Sequence, residues 1–127
     1  MPRKPAPPRP TAAELDLLRT LWRLGPASAR EVHEALAAER PDVTAANVLR
    51  QLQLMHGKGL LVRDEDQRPH VYAPAQARES LRTGLLQDFI QKAFSGSGKE
   101  LVMAALRGHV SEREREEIRR LLQEDGK

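Results

Sequence analysis

The chain has 127 residues, enough for one core or two small ones, and a formal net charge of +3. It contains no cysteine, which excludes disulfides, thiolate catalysis and cysteine-based metal sites. No apolar run approaches the roughly 18 residues that span a bilayer, and no secretory signal is recognisable. We therefore expect a cytoplasmic protein, and its mildly basic charge is consistent with a nucleic-acid partner.

The first ten residues, MPRKPAPPRP, are rich in proline and in basic side chains. We predict a disordered, extended arm over residues 1–10. Two roles stay open for it: a plain disordered tail, or a basic arm that touches phosphate or the minor groove of DNA.

Two capping boxes of the S/T-x-x-E pattern open the first two helices. Thr11 pairs with Glu14, and Ser28 pairs with Glu31. The first helix is expected to end at Gly25-Pro26, and the second near residue 38. Apolar residues recur at helical spacing and are expected in the core: Leu15, Leu18, Leu21, Trp22, Val32 and Leu36.

A third helix is expected from Thr44 to His56, followed by a Gly-Lys-Gly corner. The Thr44 hydroxyl can cap it. Its buried stripe should consist of Val48, Leu52 and Met55. The opposite side carries Ala46, Arg50 and Gln53, with Asn47 at its edge. Such residues enter a DNA major groove, where Arg reads guanine and Asn or Gln reads adenine.

Two short strands, residues 60–62 and 70–72, should follow and form a hairpin with a polar tip. A helix followed at once by a hairpin is typical of a winged helix. Arg63, Arg68 and His70 could reach phosphate, whereas the three acidic residues between them would be repelled. An engaged wing and a solvated turn with only Arg68 near DNA both stay open.

Beyond residue 74 we expect three helices: a long one from about Ala75 to Phe94, a short one ending at Gly108, and a last one capped by Ser111. About fifty residues cannot easily bury the apolar side chains of these helices alone, which favours an obligate dimer. The expected dimerisation residues are Leu81, Leu85, Phe89, Ile90, Leu101, Leu106, Ile118, Leu121 and Leu122.

The sequence therefore predicts a mainly α protein with a small β-hairpin. A winged helix-turn-helix domain should cover residues 11–74, with helix 44–56 and wing 60–73 as its DNA-binding parts. A C-terminal three-helix dimerisation domain should cover residues 75–127.

From about Thr11 to Glu124 the chain resembles the BlaI/MecI family of penicillinase repressors. The resemblance is carried by AAELDLLRTLW, GPASAREVHEAL, KGLLVR, HVYAP, SGSGKELV and SEREREEIRRLL. It implies a homodimer with an N-terminal winged helix and a C-terminal dimerisation domain, which binds inverted-repeat operators and represses transcription. In the family, a membrane sensor protease commonly leads to cleavage of the repressor.

The chain departs from the family pattern in three respects. The family's third helix is usually richer in Thr, Lys and Arg and has an Arg near its end, where this chain has Leu54. Here the outer face holds Ala46 and Leu49, and Arg50 is the only Lys or Arg of that helix. The family's Asn-Phe cleavage site falls near Ala104-Ala105. The cysteine ligands of copper-responsive members are absent.

Two other classes compete with a dimeric repressor. A winged-helix interaction module with weak or no specific DNA binding would explain the acidic wing tip. An enzyme is disfavoured because the sequence has no Ser-His-Asp order, Gly-rich phosphate loop or HExxH. The four histidines lie far apart in sequence, and ordinary surface histidines are favoured over a metal site. No cofactor and no small-molecule substrate are expected.

Overall fold

The structure, a computed structural model, describes residues 9–125, so most of the predicted arm lies outside the described residues. The chain divides into two compact units, one ending at Arg82 and the other beginning at Thr83. The described part is mostly helical with one small sheet, which confirms the predicted fold class. In chain order the elements are α1 (Ala12–Leu24), β1 (Ala27–Ser28), α2 (Ala29–Ala37), α3 (Ala45–Gly57), β2 (Leu61–Asp64), β3 (Val71–Pro74), α4 (Arg78–Ala93), α5 (Gly98–Gly108) and α6 (Glu112–Asp125).

Both capping boxes of the first unit form as predicted. The Thr11 hydroxyl accepts a hydrogen bond from the Glu14 N–H at 3.1 Å, and the Ser28 hydroxyl accepts one from the Glu31 N–H at 3.3 Å. Each glutamate accepts a bond in return from the N–H of its capping residue. α1 ends at Gly25, whose φ of 83° lies in the left-handed region that glycine adopts without strain.

The sheet has three strands rather than the two predicted. Its order is β1-β3-β2, and all neighbours are antiparallel. The predicted hairpin is present as β2 and β3. The additional strand β1 is only two residues long, with Ala27 opposite Tyr72 and Ser28 opposite Val71. A strand of that length has no alternation to reveal it in the sequence.

The core of the first unit lies among α1, α2, α3 and the sheet. Most of the predicted core residues are buried, but Leu15 and Trp22 are only half-buried. The Trp22 indole N–H donates to the Gln76 carbonyl at 3.4 Å, so this tryptophan fastens the segment that leads into α4. The main buried residues are Leu17, Leu18, Leu21, Val32, Leu36, Val48, Leu52, Met55, Leu60, Leu61 and Tyr72.

The second unit is held together by caps and partial burial. The Ser97 hydroxyl caps α5 by accepting from the Glu100 N–H at 3.1 Å, and Ser111 caps α6 in the same way through Glu114. The Arg115 guanidinium donates to the Leu106 carbonyl and so joins α6 to α5. None of residues 83–124 is buried. No helix within the described range is long and apolar enough to cross a membrane.

Candidate nucleic-acid interface

The helix α3 forms the centre of the candidate interface. Thr44 caps it, since its hydroxyl accepts from the Asn47 N–H at 3.2 Å. The stripe of Val48, Leu52 and Met55 is buried, as predicted. Gly59, with φ of 87°, turns the chain sharply after the helix, and the Leu60 N–H then donates to the Met55 carbonyl at 2.9 Å. The helix is therefore fixed along one side and free on the other.

The free side of α3 carries the residues that the sequence predicts to read bases. Ala46, Asn47, Arg50 and Gln53 are all exposed, as is Thr44 at the N-terminus. The Arg50 guanidinium donates to the Asn47 side-chain oxygen at 3.4 Å. The two polar residues thus support each other, and the guanidinium keeps donors available for a base or a phosphate. The contact of these residues with DNA stays a prediction.

Two leucines share the exposed side of α3. Leu49 is 41% exposed and Leu54 is 53% exposed. Helical geometry places them on opposite flanks of Arg50, because each residue turns the helix by about 100°. The sequence pattern identified both as departures from the family, but it did not assign them a role.

The entry to α3 is fixed by a histidine of α2. A ring nitrogen of His33 lies 2.9 Å from the Val43 carbonyl, directly before the cap at Thr44. This agrees with the sequence-based interpretation of His33 as a packing or surface residue. Within residues 9–125 no cluster of side chains has the composition of a metal site.

A buried carboxylate ties the far end of α3 to α1. Glu14 is only 7% exposed, and its carboxylate accepts from the Lys58 ammonium at 2.7 Å and from the Thr11 N–H at 2.9 Å. Burial raises the pKa of Glu14, but the hydrogen bonds from Lys58 and Thr11 outweigh it, so the pKa lies below its ordinary value. Lys58 therefore positions the helix and is not a free cation for phosphate.

The wing offers less positive charge than its sequence suggests. The Arg63 guanidinium forms an ion pair with the Glu65 carboxylate. The pKa of Arg63 is raised, mainly by its hydrogen bond to Glu65 and to a smaller extent by its hydrogen bond to Tyr72. By contrast, Arg68 makes no ion pair with any residue in the range 9–125; its guanidinium contacts the His70 ring at 2.9 Å. Within the hairpin, Arg63 is therefore paired with a carboxylate and Arg68 is not.

Comparison with known proteins decides the family. The sequence profile of the penicillinase repressor family matches residues 10–124. The chain is also similar to the protein named transcriptional regulator BlaI in two strains of Mycobacterium tuberculosis, CDC 1551 and H37Rv. Each is 34% identical over 105 residues, which cover 82% of this chain and 75% of the relative. The chain belongs to the penicillinase repressor family.

Membership of the penicillinase repressor family makes this chain a transcriptional repressor and implies DNA as its partner. The family resemblance seen in the sequence is confirmed. The sequence-based prediction that the protein is not an enzyme agrees with a family of transcriptional regulators.

Most of the expected dimerisation residues lie in the second unit with partial exposure. Leu85, Ile90, Leu101, Leu106 and Ile118 are half-buried, while Phe89, Leu121 and Leu122 are exposed. Leu81 differs from the others, because it lies in the first unit and is buried. It lines a cavity of about 220 Å³ together with Leu18, Trp22 and Leu60. Its own chain buries Leu81, so this side chain is not accessible to a second copy.

The candidate cleavage region around Ala104-Ala105 is helical. Ala104 and Ala105 are half-buried residues inside α5. A peptide bond in a helix cannot extend into a protease cleft unless the helix opens first. Because no residue of α5 is fully buried in the single chain, the opening of this helix in a chain without a partner should cost little free energy.

Proposed function

We propose that this protein is a homodimeric repressor that binds an inverted-repeat operator, with α3 in the major groove and the wing beside it. The observation that carries the proposal is the exposed side of α3. It presents Asn47, Arg50 and Gln53 on a helix whose other side is anchored by a buried stripe. This is the arrangement that a recognition helix needs, because base contacts require polar side chains on a rigid element.

The second unit supplies the argument for a homodimer. Single exposed apolar residues are normal on a protein surface, but here six large ones occur in a short unit in which none of residues 83–124 is buried. These six are Leu86, Phe89, Val102, Met103, Leu121 and Leu122. A second copy of the chain would cover them. A two-fold dimer then matches an operator with two inverted half-sites.

We assign the wing a positioning role. Arg68 would contact a phosphate, whereas Arg63 is neutralised by Glu65 within the hairpin. Phosphate contacts fix the orientation of a protein on DNA but carry no base information. The wing would therefore add affinity and salt dependence without adding sequence preference.

Release from DNA would follow from loss of the dimer. Two tethered heads bind tightly because the second head acts at a high effective concentration. Cutting or unfolding α5 near Ala104-Ala105 would remove that gain without changing a DNA contact. A membrane sensor protease is one possible agent. Since this chain lacks Asn-Phe at that position, a protease specific for Asn-Phe should not cut it there.

The dimer is tested by placing a charge on its proposed surface. Phe89 is 54% exposed in the single chain, and Phe89→Asp would bury an unpaired carboxylate on association. Sedimentation velocity of the whole chain should show a dimer for wild type and a shift to monomer for Phe89→Asp. The matched control is Leu24→Asp, at an exposed leucine of the first unit, which should stay dimeric. A wild type that remains a monodisperse monomer at micromolar concentration would refute the proposal.

A second candidate is a protein-interaction module that binds DNA weakly or not at all. The acidic wing tip favours it: Asp64 accepts hydrogen bonds from the Asp66 N–H and the Gln67 amide, which keep its charge fixed on the hairpin. Salt separates the two candidates, because contact with phosphates makes the affinity for DNA fall steeply with salt. Affinity for a promoter fragment that stays weak and independent of salt would favour the interaction module.

A further inference from the structure

We propose that Leu49 and Leu54 read thymine in the major groove through its C5 methyl group. The inference rests on the proposed DNA binding by α3 and adds the base class that this helix selects. It concerns the two large apolar side chains on the exposed side of α3.

The core does not need these two leucines. The buried stripe of Val48, Leu52 and Met55 already fixes α3, and each of those residues is at most 2% exposed. Leu49 and Leu54 instead lie among the polar residues of the free side, on the two flanks of Arg50. Leu54 is the nearer of the two, about 40° from Arg50 around the helix and one turn further along it, whereas Leu49 lies about 100° away on the other flank.

The chemistry of the major groove leaves one good partner for an aliphatic side chain. Thymine is the only base of unmodified DNA that presents a methyl group there. A leucine placed against the cytosine amino group or a guanine acceptor would remove water without supplying a hydrogen bond, which is unfavourable. The leucines thus attract thymine and also reject bases whose polar edge they would cover.

Neighbouring residues assist this close approach. Ala46 and Gln53 lie near the middle of the same side. The small side chain of Ala46 leaves room for DNA to approach the N-terminal turn of α3. Arg50 would bind a guanine in the same half-site, because its guanidinium can donate hydrogen bonds to both acceptors of guanine, O6 and N7.

Deoxyuridine provides the test, because it differs from thymidine only by the missing methyl group. Full-length protein would first select duplexes from a random library, and the recovered consensus would be synthesised with single thymines replaced by deoxyuridine. At one or more positions of each half-site the affinity should fall about fourfold per methyl group, and about sixteenfold when both half-sites are changed.

Variants assign the effect to the leucines. In Leu49→Ala or Leu54→Ala the deoxyuridine effect at one position should disappear, so the variant binds both duplexes alike. Alanine is the best helix former, so α3 should remain folded. Leu24→Ala removes a leucine of similar exposure, 44%, from α1, and it should keep the full deoxyuridine effect.

The possible failures are distinguishable. If wild-type protein selects a consensus but binds the deoxyuridine duplexes equally well, the thymine inference is wrong while the proposed function stands. If the deoxyuridine effect survives unchanged in both leucine variants, another residue reads the methyl group and the inference is also wrong. If no consensus emerges and all DNA binds alike, both the inference and the proposed specific operator binding fail.

Discussion

Replacing Lys58 with methionine should destabilise the first unit in a way that depends on pH. The Lys58 ammonium donates to the Glu14 carboxylate at 2.7 Å, and Glu14 is buried. Methionine keeps most of the unbranched lysine stem but leaves that carboxylate without its cation. A hydrogen bond to a charged group contributes about 1.5–3 kcal/mol. Because 41% of the Lys58 side chain is exposed, water replaces part of it, and we expect a loss of about 1–2 kcal/mol.

The pH dependence follows from the lowered pKa of Glu14. A carboxyl whose pKa is lower in the folded state stabilises the fold above its unfolded value of 4.5 and loses that contribution as pH falls through the folded pKa. The difference between wild type and Lys58→Met should therefore be full at pH 7 and shrink as the pH falls below 4.5 and through the lowered folded pKa of Glu14.

Urea denaturation at one protein concentration measures this difference at each pH. The matched control is Arg30→Met, which removes an ion pair of 3.0 Å between exposed side chains of Arg30 and Glu34 and should change stability little at any pH. An equal loss for Lys58→Met at pH 7 and pH 3 would show that packing of the lysine stem, not the charge of Glu14, is responsible. That result would refute the reasoning.

Three further predictions concern DNA. Arg50→Ala should cost about 1–3 kcal/mol of binding free energy per half-site on the selected duplex and relax the preference at one base pair. Titration against duplexes with single-base changes measures both effects. An equal loss of affinity on random DNA would make Arg50 a phosphate contact. Arg68→Ala should weaken binding to all duplexes alike and lower the salt slope by about one, and a changed base preference would place the wing in a groove. A fragment ending at Ala104 should lose operator binding because it loses the dimer; a fragment that bound as tightly as the whole chain would contradict this.

Local signals in the sequence predicted the winged helix well. A capping box needs only four consecutive residues, and the buried stripe of α3 needs only the helical repeat, so Thr11, Ser28 and Val48 are where the pattern placed them. The side chains of the free side followed from the same repeat. What the pattern predicts directly is therefore the direction in which each residue of a regular helix points.

Features that join distant parts of the chain were missed. Glu14 and Lys58 are 44 residues apart, and no local pattern indicates that they meet. The strand β1 exists only because β3 lies beside it, with Ala27 opposite Tyr72. Similarly, the helical spacing groups Leu81 with the apolar residues of α4. In the structure Leu81 is buried in the first unit, where it lines the cavity beside Trp22. Each of these features depends on contacts between residues that are distant in sequence, and the periodicity of a single element gives no information about such contacts.

The central claim is that two copies of the chain bind one operator through two copies of α3. The most direct measurement is sedimentation of the protein with a labelled duplex that carries the selected inverted repeat. The comparison is a duplex with five base pairs inserted between the two half-sites. Because B-DNA turns once in about 10.5 base pairs, the insertion rotates one half-site by about half a turn. We predict two chains on the first duplex and a large loss of affinity on the second. One chain per duplex, or equal affinity for both duplexes, would contradict the account.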